Sequence, residues 1–199
     1  MSEAKKEFNL VIAGVGGQGL ITLGRILSRA AFLQGLDVKM SELHGLSQRG
    51  GSVAVNVRFG KKVFSPLVTA QQADLILVLE RNESLRDCSF ANPERTIFFI
   101  NDNSLFSPSF AGKRLESFAE IKKLLEEFSK KIYSIKATEK MQLDLGSPVL
   151  AGIYMVAAAV FNNLIPLKEK YVLRAMKDLL PGKFDKNIKA FKLGKKVKL

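Results

Sequence analysis

Two glycine-rich stretches carry the residue types whose spacing could do chemistry. The first, Gly14-Val-Gly-Gly-Gln-Gly19, follows the apolar run Leu10-Val-Ile-Ala13 and precedes an amphipathic pattern from Leu20 to about Gln34. Gly14, Gly16 and Gly19 have the spacing of a strand–turn–helix phosphate cradle. The first glycine permits a tight turn, the second lets an anion approach the backbone, and the third lets helix pack on strand. The helix start adds free N–H groups and a positive dipole end. Turns of this kind also occur without a ligand, so a dinucleotide, a simple phosphate and no ligand all stay open. A dinucleotide calls for an acidic residue about twenty positions on, ending the second strand. Glu42 is the residue available.

The second stretch runs from Glu42 to Gly51 and contains His44-Gly-Leu-Ser-Gln-Arg-Gly-Gly51. Ser47, Gln48, Arg49, Gly50 and Gly51 are its candidate binding residues. Paired glycines let backbone N–H groups converge on an anion, and Arg49 can hold a carboxylate or phosphate through two parallel hydrogen bonds. The bland alternative is a plain turn with Arg49 paired to Glu42. His44, the only histidine, has no serine or cysteine nucleophile in a recognisable arrangement, so no catalytic residue is assigned. The candidate binding set is Gly14, Gly16, Gly17, Gln18, Gly19 and the five residues Ser47 to Gly51.

These loops need strands and helices to hold them. Leu20, Leu23, Leu27, Ala30 and Ala31 share one side of the first helix, as on a helix packed against a sheet. Asp37 to Met40 is a short second strand. Ser52 to Phe59 alternates apolar and polar residues, and Gly60-Lys61 with Lys62-Val-Phe64 predicts a β-hairpin return. Ala73 to Glu80 is near-continuously apolar, as in a strand covered on both faces. A short helix is expected near Asn82 to Asp87, a strand at Arg95 to Ile100 and a turn at Asn101 to Ser104. A loop over Leu105 to Arg114, a helix from Ser117 to Lys130 and a strand at Ile132 to Ile135 follow. Three further helices are expected: Ala137 to Leu145, stopped by Gly146; Pro148 to about Asn162; and Leu167 to Leu180. From Phe184 a basic tail spaces Phe184, Ile188 and Phe191 helically.

The 199 residues suffice for one α/β domain, and no linker or repeat divides them. No stretch is long and apolar enough to span a membrane, and the N-terminus lacks a signal sequence. The single Cys88 excludes an internal disulfide framework and any cysteine-ligated metal or cluster made by this chain alone. These features point to a reduced, cytoplasmic setting. The formal net charge is +12, and Lys183, Lys186, Lys189, Lys192, Lys195, Lys196 and Lys198 face only Asp185 in the tail. That run reads as a solvated face, or else as a dock for an acidic partner or ligand. No nucleic-acid fold signature accompanies it.

Taken together, Gly14-Val-Gly-Gly-Gln-Gly19, His44 to Gly51, Ala73 to Glu80 and the segment Ala137-Thr-Glu to Leu145-Gly146 resemble one family. It is the gamma-type subunit or domain of the 2-oxoacid:ferredoxin oxidoreductases, the similarity being greatest to the small (beta) subunit of the indolepyruvate enzymes. It extends to about Val160. The late helix departs from the pattern, with Gly152 and Val156-Ala-Ala158 where many members have an Asn and a Leu-Gly-Ala. The resemblance implies a three-layer α/β/α, Rossmann-like fold, a mostly parallel sheet with an antiparallel hairpin, over residues 1–199. It implies oxidative decarboxylation of a 2-oxoacid, an aryl pyruvate such as indolepyruvate, to an acyl-coenzyme A with reduction of ferredoxin, in anaerobic metabolism. Thiamine diphosphate, Mg and iron–sulfur clusters would belong to a larger partner subunit, with coenzyme A as co-substrate. This chain would close the active site and help receive coenzyme A. Isolated, it could pair with itself, which would call for an exposed apolar patch near the alanine-rich helix. The alternatives are a stand-alone nucleotide-binding oxidoreductase and a basic nucleic-acid-binding protein.

Overall fold

A computed structural model describes residues 7–44, 51–104 and 117–199. Its strands are β1 (Glu7–Val15), β2 (Asp37–His44), β3 (Ser52–Gly60), β4 (Leu75–Val78), β5 (Ile97–Asn101) and β6 (Lys131–Ile135). Its α-helices are α1 (Leu20–Leu33), α2 (Phe118–Leu125), α3 (Ala137–Leu145), α4 (Ala151–Phe161), α5 (Glu169–Leu179) and α6 (Phe184–Gly194). The strands form one sheet in the order β2-β3-β1-β4-β5-β6. β1, β4, β5 and β6 are parallel neighbours, whereas β3 runs antiparallel to both β1 and β2.

Strand alternation divides the core between two faces. Leu10, Ile12, Leu75, Leu77 and Phe99 join one apolar cluster with α1, α4, α5 and α6. Val11, Ala13, Ile76, Val78, Phe98 and Ile100 join a second with Ile121 and Leu125 of α2. Side chains of successive strand residues point to opposite faces, so a strand covered on both sides must be apolar throughout. The result is the α/β/α layering.

Three elements differ from their sequence patterns. The hairpin is formed by β2 and β3, and Lys62 to Phe64 adds no return strand. Both edges of β3 are occupied, by β1 and β2, so a returning strand has nothing to pair with. Val63 instead donates its N–H to Asp37 Oδ2 at 2.8 Å. Second, β2 continues beyond Met40 through Glu42 to His44, because β3 offers it partners as far as Val53. Third, α2 ends at Leu125 and not Lys130. Phe128 N–H bonds Leu125 C=O at 3.0 Å and the Ser129 hydroxyl bonds the same carbonyl at 2.8 Å, turning the chain into β6. At its start, Ser117 and Glu120 form a reciprocal capping box.

The C-terminal segment is a docked helix. Residues Ala151 to Val160 of α4 are buried on every side, so no apolar patch is exposed along it. α6 supplies part of that cover. Phe191 is buried and meets Phe161 edge-on at 5.9 Å between ring centroids. Beyond α6, Asn162 holds Val197 C=O at 2.9 Å and Leu199 N–H at 3.2 Å. At Gly194, a Cβ would lie 2.2 Å from Tyr154 O and 2.7 Å from Ala157 Cβ. The Gly194→Ala variant must therefore push α6 off α4, a loss of about 1–3 kcal/mol. The expected outcome is a thermal midpoint several degrees lower and faster proteolysis after residue 183. An unchanged midpoint would contradict this docking.

Candidate functional site

The first crossover from β1 carries the chain through α1 toward β2, and the later strands are added on the other side. The crossover direction therefore reverses between β1 and β4, the position where open α/β sheets bind ligands at the carboxyl ends of their strands. The Gly14–Gly19 turn occupies this point.

One side chain holds the turn in place. Gln18 Oε1 accepts the Val15 N–H at 2.9 Å, and Gln18 Nε2 donates to Leu79 C=O at 3.1 Å. The amide thus spans the gap between the ends of β1 and β4. Gly14 makes room for it, since a Cβ there would lie 2.4 Å from Gln18 Oε1. Leu79 C=O also receives Asn101 Nδ2 at 3.0 Å. Asn101 in turn bonds Thr138 Oγ1 at 2.7 Å and accepts the Thr138 N–H at 3.2 Å. A single polar chain therefore links the ends of β1, β4 and β5 to the start of α3. Asn101 and Thr138 were not among the sequence-derived site residues. Their signal is position alone: Asn101 is a polar residue at the carboxyl end of β5, and Thr138 stands in the first turn of the helix after β6.

The glycines divide their work differently from the simple cradle. Gly16 N–H donates to Gly51 C=O at 2.9 Å, so it joins the two glycine stretches and is not free for an anion. Gly17 and Gly19 have φ of 98° and 80°, and a Cβ on either would meet nothing within 4 Å. These two face open space, and Gly19 is the N-cap of α1, which has no side-chain cap. Ser47, Gln48, Arg49 and Gly50 lie outside the described residues. Glu42 does not occupy the ribose-binding position of a dinucleotide site. That position is on the strand next to β1, and here β3 separates β2 from β1.

Two cavities flank Gln18. The smaller, about 220 Å³, is lined by Gly17, Leu79, Asn101, Asn103, Thr138 and Gly152 among others. The larger, about 620 Å³, lies between the start of α1, residues Ser147 to Ile153 and the α5–α6 connection, with Lys183 and Lys186 on its wall. Val149, 60% exposed, borders both. A volume of this size with an apolar floor and a few polar groups suits a small organic anion.

Behind the turn lies a buried acidic group. Glu83 Oε1 accepts the Ser52 hydroxyl at 2.9 Å, and Arg86 reaches Ser52 Oγ at 3.0 Å. Ser52 directly follows Gly51, so this contact steadies the end of the second glycine stretch. Burial raises the Glu83 carboxyl, and burial followed by the neighbouring Glu83 charge raises Asp87 to about 6. Cys88 is raised to about 11 by burial and by Asp87. A thiol so reluctant to ionise does not suit a metal or cluster ligand. Among the described residues no group of three His, Cys, Asp or Glu side chains could hold a metal ion. No helix among them is long and apolar enough to cross a membrane.

Fold and site thus define an α/β protein with a glycine turn braced at the crossover switch. Residues 9–197 match the family described as pyruvate ferredoxin/flavodoxin oxidoreductase, and the chain belongs to it. Indolepyruvate oxidoreductase subunit IorB of Pyrococcus horikoshii is 35% identical over 196 residues, 96% of each chain. Pyruvate oxidoreductase subunit PORC from Thermotoga maritima shares the fold at a TM-score of 0.69 and 17% identity, covering 96% of both chains. 2-Oxoglutarate:ferredoxin oxidoreductase from Magnetococcus marinus, a structure with 2-oxoglutarate, coenzyme A and succinyl-CoA bound, aligns at a TM-score of 0.73 and 18% identity. There 96% of this chain matches 31% of the larger one.

The raised Asp87 carboxyl gives a pH test. Its proton is held more tightly in the folded state, so the buried charge lowers stability above the unfolded pKa of 3.8, fully so above about 6. Asp87→Asn should stabilise the fold by about 1–3 kcal/mol at neutral pH, with the gain fading as pH falls through 6 toward 4. Urea midpoints measured across that range check it. A gain independent of pH would contradict the assignment.

Proposed function

We propose that this chain is the small subunit of a ferredoxin-dependent 2-oxoacid oxidoreductase of the indolepyruvate type. The observation that carries the reading is the likeness to indolepyruvate oxidoreductase subunits over nearly the whole of both chains. The complex decarboxylates an aryl pyruvate, forms the acyl-coenzyme A and passes the electrons to ferredoxin. Thiamine diphosphate with Mg and the iron–sulfur clusters, which supply the decarboxylation and electron chemistry, belong to a larger partner subunit in the cytoplasm. The residues of this chain do not fit a cluster: its single thiol is half-buried and held protonated, and among the described residues no group of three His, Cys, Asp or Glu side chains could hold a metal ion.

What this chain contributes is binding and enclosure. Residues 1–199 act as one unit that covers the active-site cleft and offers coenzyme A a seat at the open side of the glycine turn. Gly17 and Gly19 leave the start of α1 accessible, where unpaired N–H groups and the helix dipole favour a phosphate. Gln18 orients that turn through Val15 and Leu79, and Gly16 ties it to Gly51. Ser47, Gln48, Arg49 and Gly50 complete the proposed seat, Arg49 as the phosphate's fork.

The Gly17→Asp variant tests the seat. Its Cβ meets no atom, so the cost is the positive φ alone, about 1–2 kcal/mol, and the fold persists. A carboxylate there repels phosphate. The assembled variant is expected to show a KM for coenzyme A raised tenfold or more, with the KM for the 2-oxoacid nearly unchanged. A normal KM for coenzyme A in a correctly assembled complex would remove the turn from the site.

A further inference from the structure

Apart from Lys186 at the wall of the larger cavity, the lysines of α6 have no part in the arrangement described so far. The helix buries Asn187, Ala190 and Phe191. Its outer side carries Lys186, Lys189 and Lys192, with Lys196 just past its end, all exposed. Spacings of three and four keep them in one stripe, about 15 Å long at 1.5 Å per residue. Lys186 stands at the wall of the 620 Å³ cavity. Lys189, Lys192 and Lys196 line a shallow groove of about 480 Å³ with Asp144 and Leu145. Asp144 is already paired, to Lys140 at 3.0 Å.

The contrast with Lys195 is informative. Lys195 bonds Glu169 at 3.3 Å and lies over the Phe161 ring at 4.6 Å, so it helps dock α6. Among the described residues, no carboxylate pairs with the four stripe lysines. Their charges are therefore surplus to the fold.

The chemistry of the stripe narrows its partner. No large apolar side chain of α6 is exposed, so a partner gains no apolar anchor, which a permanent subunit interface requires. Phe191 is buried, leaving no aromatic in the stripe for base stacking. Lysine ammonium groups are hydrated point charges without the fork of arginine. They accelerate encounter and fix orientation more than they add lasting affinity. Small, polar, short-lived contacts of this kind characterise electron-transfer encounters.

We propose that the α6 stripe is a docking surface for an acidic electron-carrier protein, captured transiently by charge during turnover. The proposal rests on the oxidoreductase-subunit reading above and adds where the carrier is received.

The test uses the assembled complex and a ferredoxin of low isoelectric point. Lys189, Lys192 and Lys196, which lie clear of the 620 Å³ cavity, are changed together to Gln, and in a second variant to Arg. Association is followed by interferometry without turnover. The Gln variant should associate about tenfold more slowly at low salt, the Arg variant should match wild type within about twofold, and raising salt should erase the difference. Reduction of methyl viologen with 2-oxoacid and coenzyme A should be unchanged in both. Unaltered ferredoxin association in the Gln variant would overturn the proposal. So would a duplex oligonucleotide binding the wild-type complex as tightly as ferredoxin does at the same salt, which would mark a general polyanion patch. A wild-type complex that binds ferredoxin through the stripe yet reduces no viologen with any 2-oxoacid and coenzyme A would instead sink the subunit reading.

Discussion

The amide of Gln18 is the contact on which the site depends. Two parallel strands that diverge at a crossover switch leave a gap with backbone groups on each rim. Gln18 closes it by accepting from Val15 on one side and donating to Leu79 on the other. Each bond exchanges a water contact for a protein one and adds only about 1 kcal/mol. Their value lies in geometry. With both ends of the amide engaged, the turn from Val15 to Gly19 has one position relative to β4, and α1 starts where that turn aims it. Gly14 is part of the same device, because any side chain there would occupy the space of the amide oxygen.

From this brace the rest of the site follows. Leu79 C=O is shared with Asn101, which carries the restraint to Thr138 and α3. Gly16 carries it the other way, to Gly51 and the start of β3. The glycines so divide into two kinds. Gly14 and Gly16 serve the protein's own backbone, whereas Gly17 and Gly19 keep positive φ and an open side. The proposed anion seat thus has Gly17, Gly19 and the first turn of α1 open to it, while the Gly16 N–H is already bonded to Gly51.

Much of the layered fold was legible in the sequence, because periodicity reports burial directly. The unbroken apolar runs at Leu10 to Ala13 and Leu75 to Val78 are strands with both faces covered. Gly146, at φ 62°, stops α3 where the sequence places its end. What could not be read was pairing. The alternation of Ser52 to Phe59 signals a strand but not its neighbours, so the hairpin partner was assigned to Lys62 to Phe64 when β2 and β1 hold both edges. Nor does spacing disclose which groups a polar side chain meets: Gln18 reads as a ligand contact and proves to be bonded to two backbone groups. The basic tail was legible as helical, while its docking on α4 required knowing that Gly194 lies against Tyr154.

The central claim is that the chain works as one part of a 2-oxoacid oxidoreductase. Its most direct test is anaerobic purification of the tagged chain from its native cells, read by mass spectrometry, visible absorption and dye reduction. The account expects a brown complex with a larger, cysteine-rich partner that reduces viologen only when an aryl pyruvate and coenzyme A are both present. A colourless chain recovered without a partner, inert toward every 2-oxoacid, would contradict it.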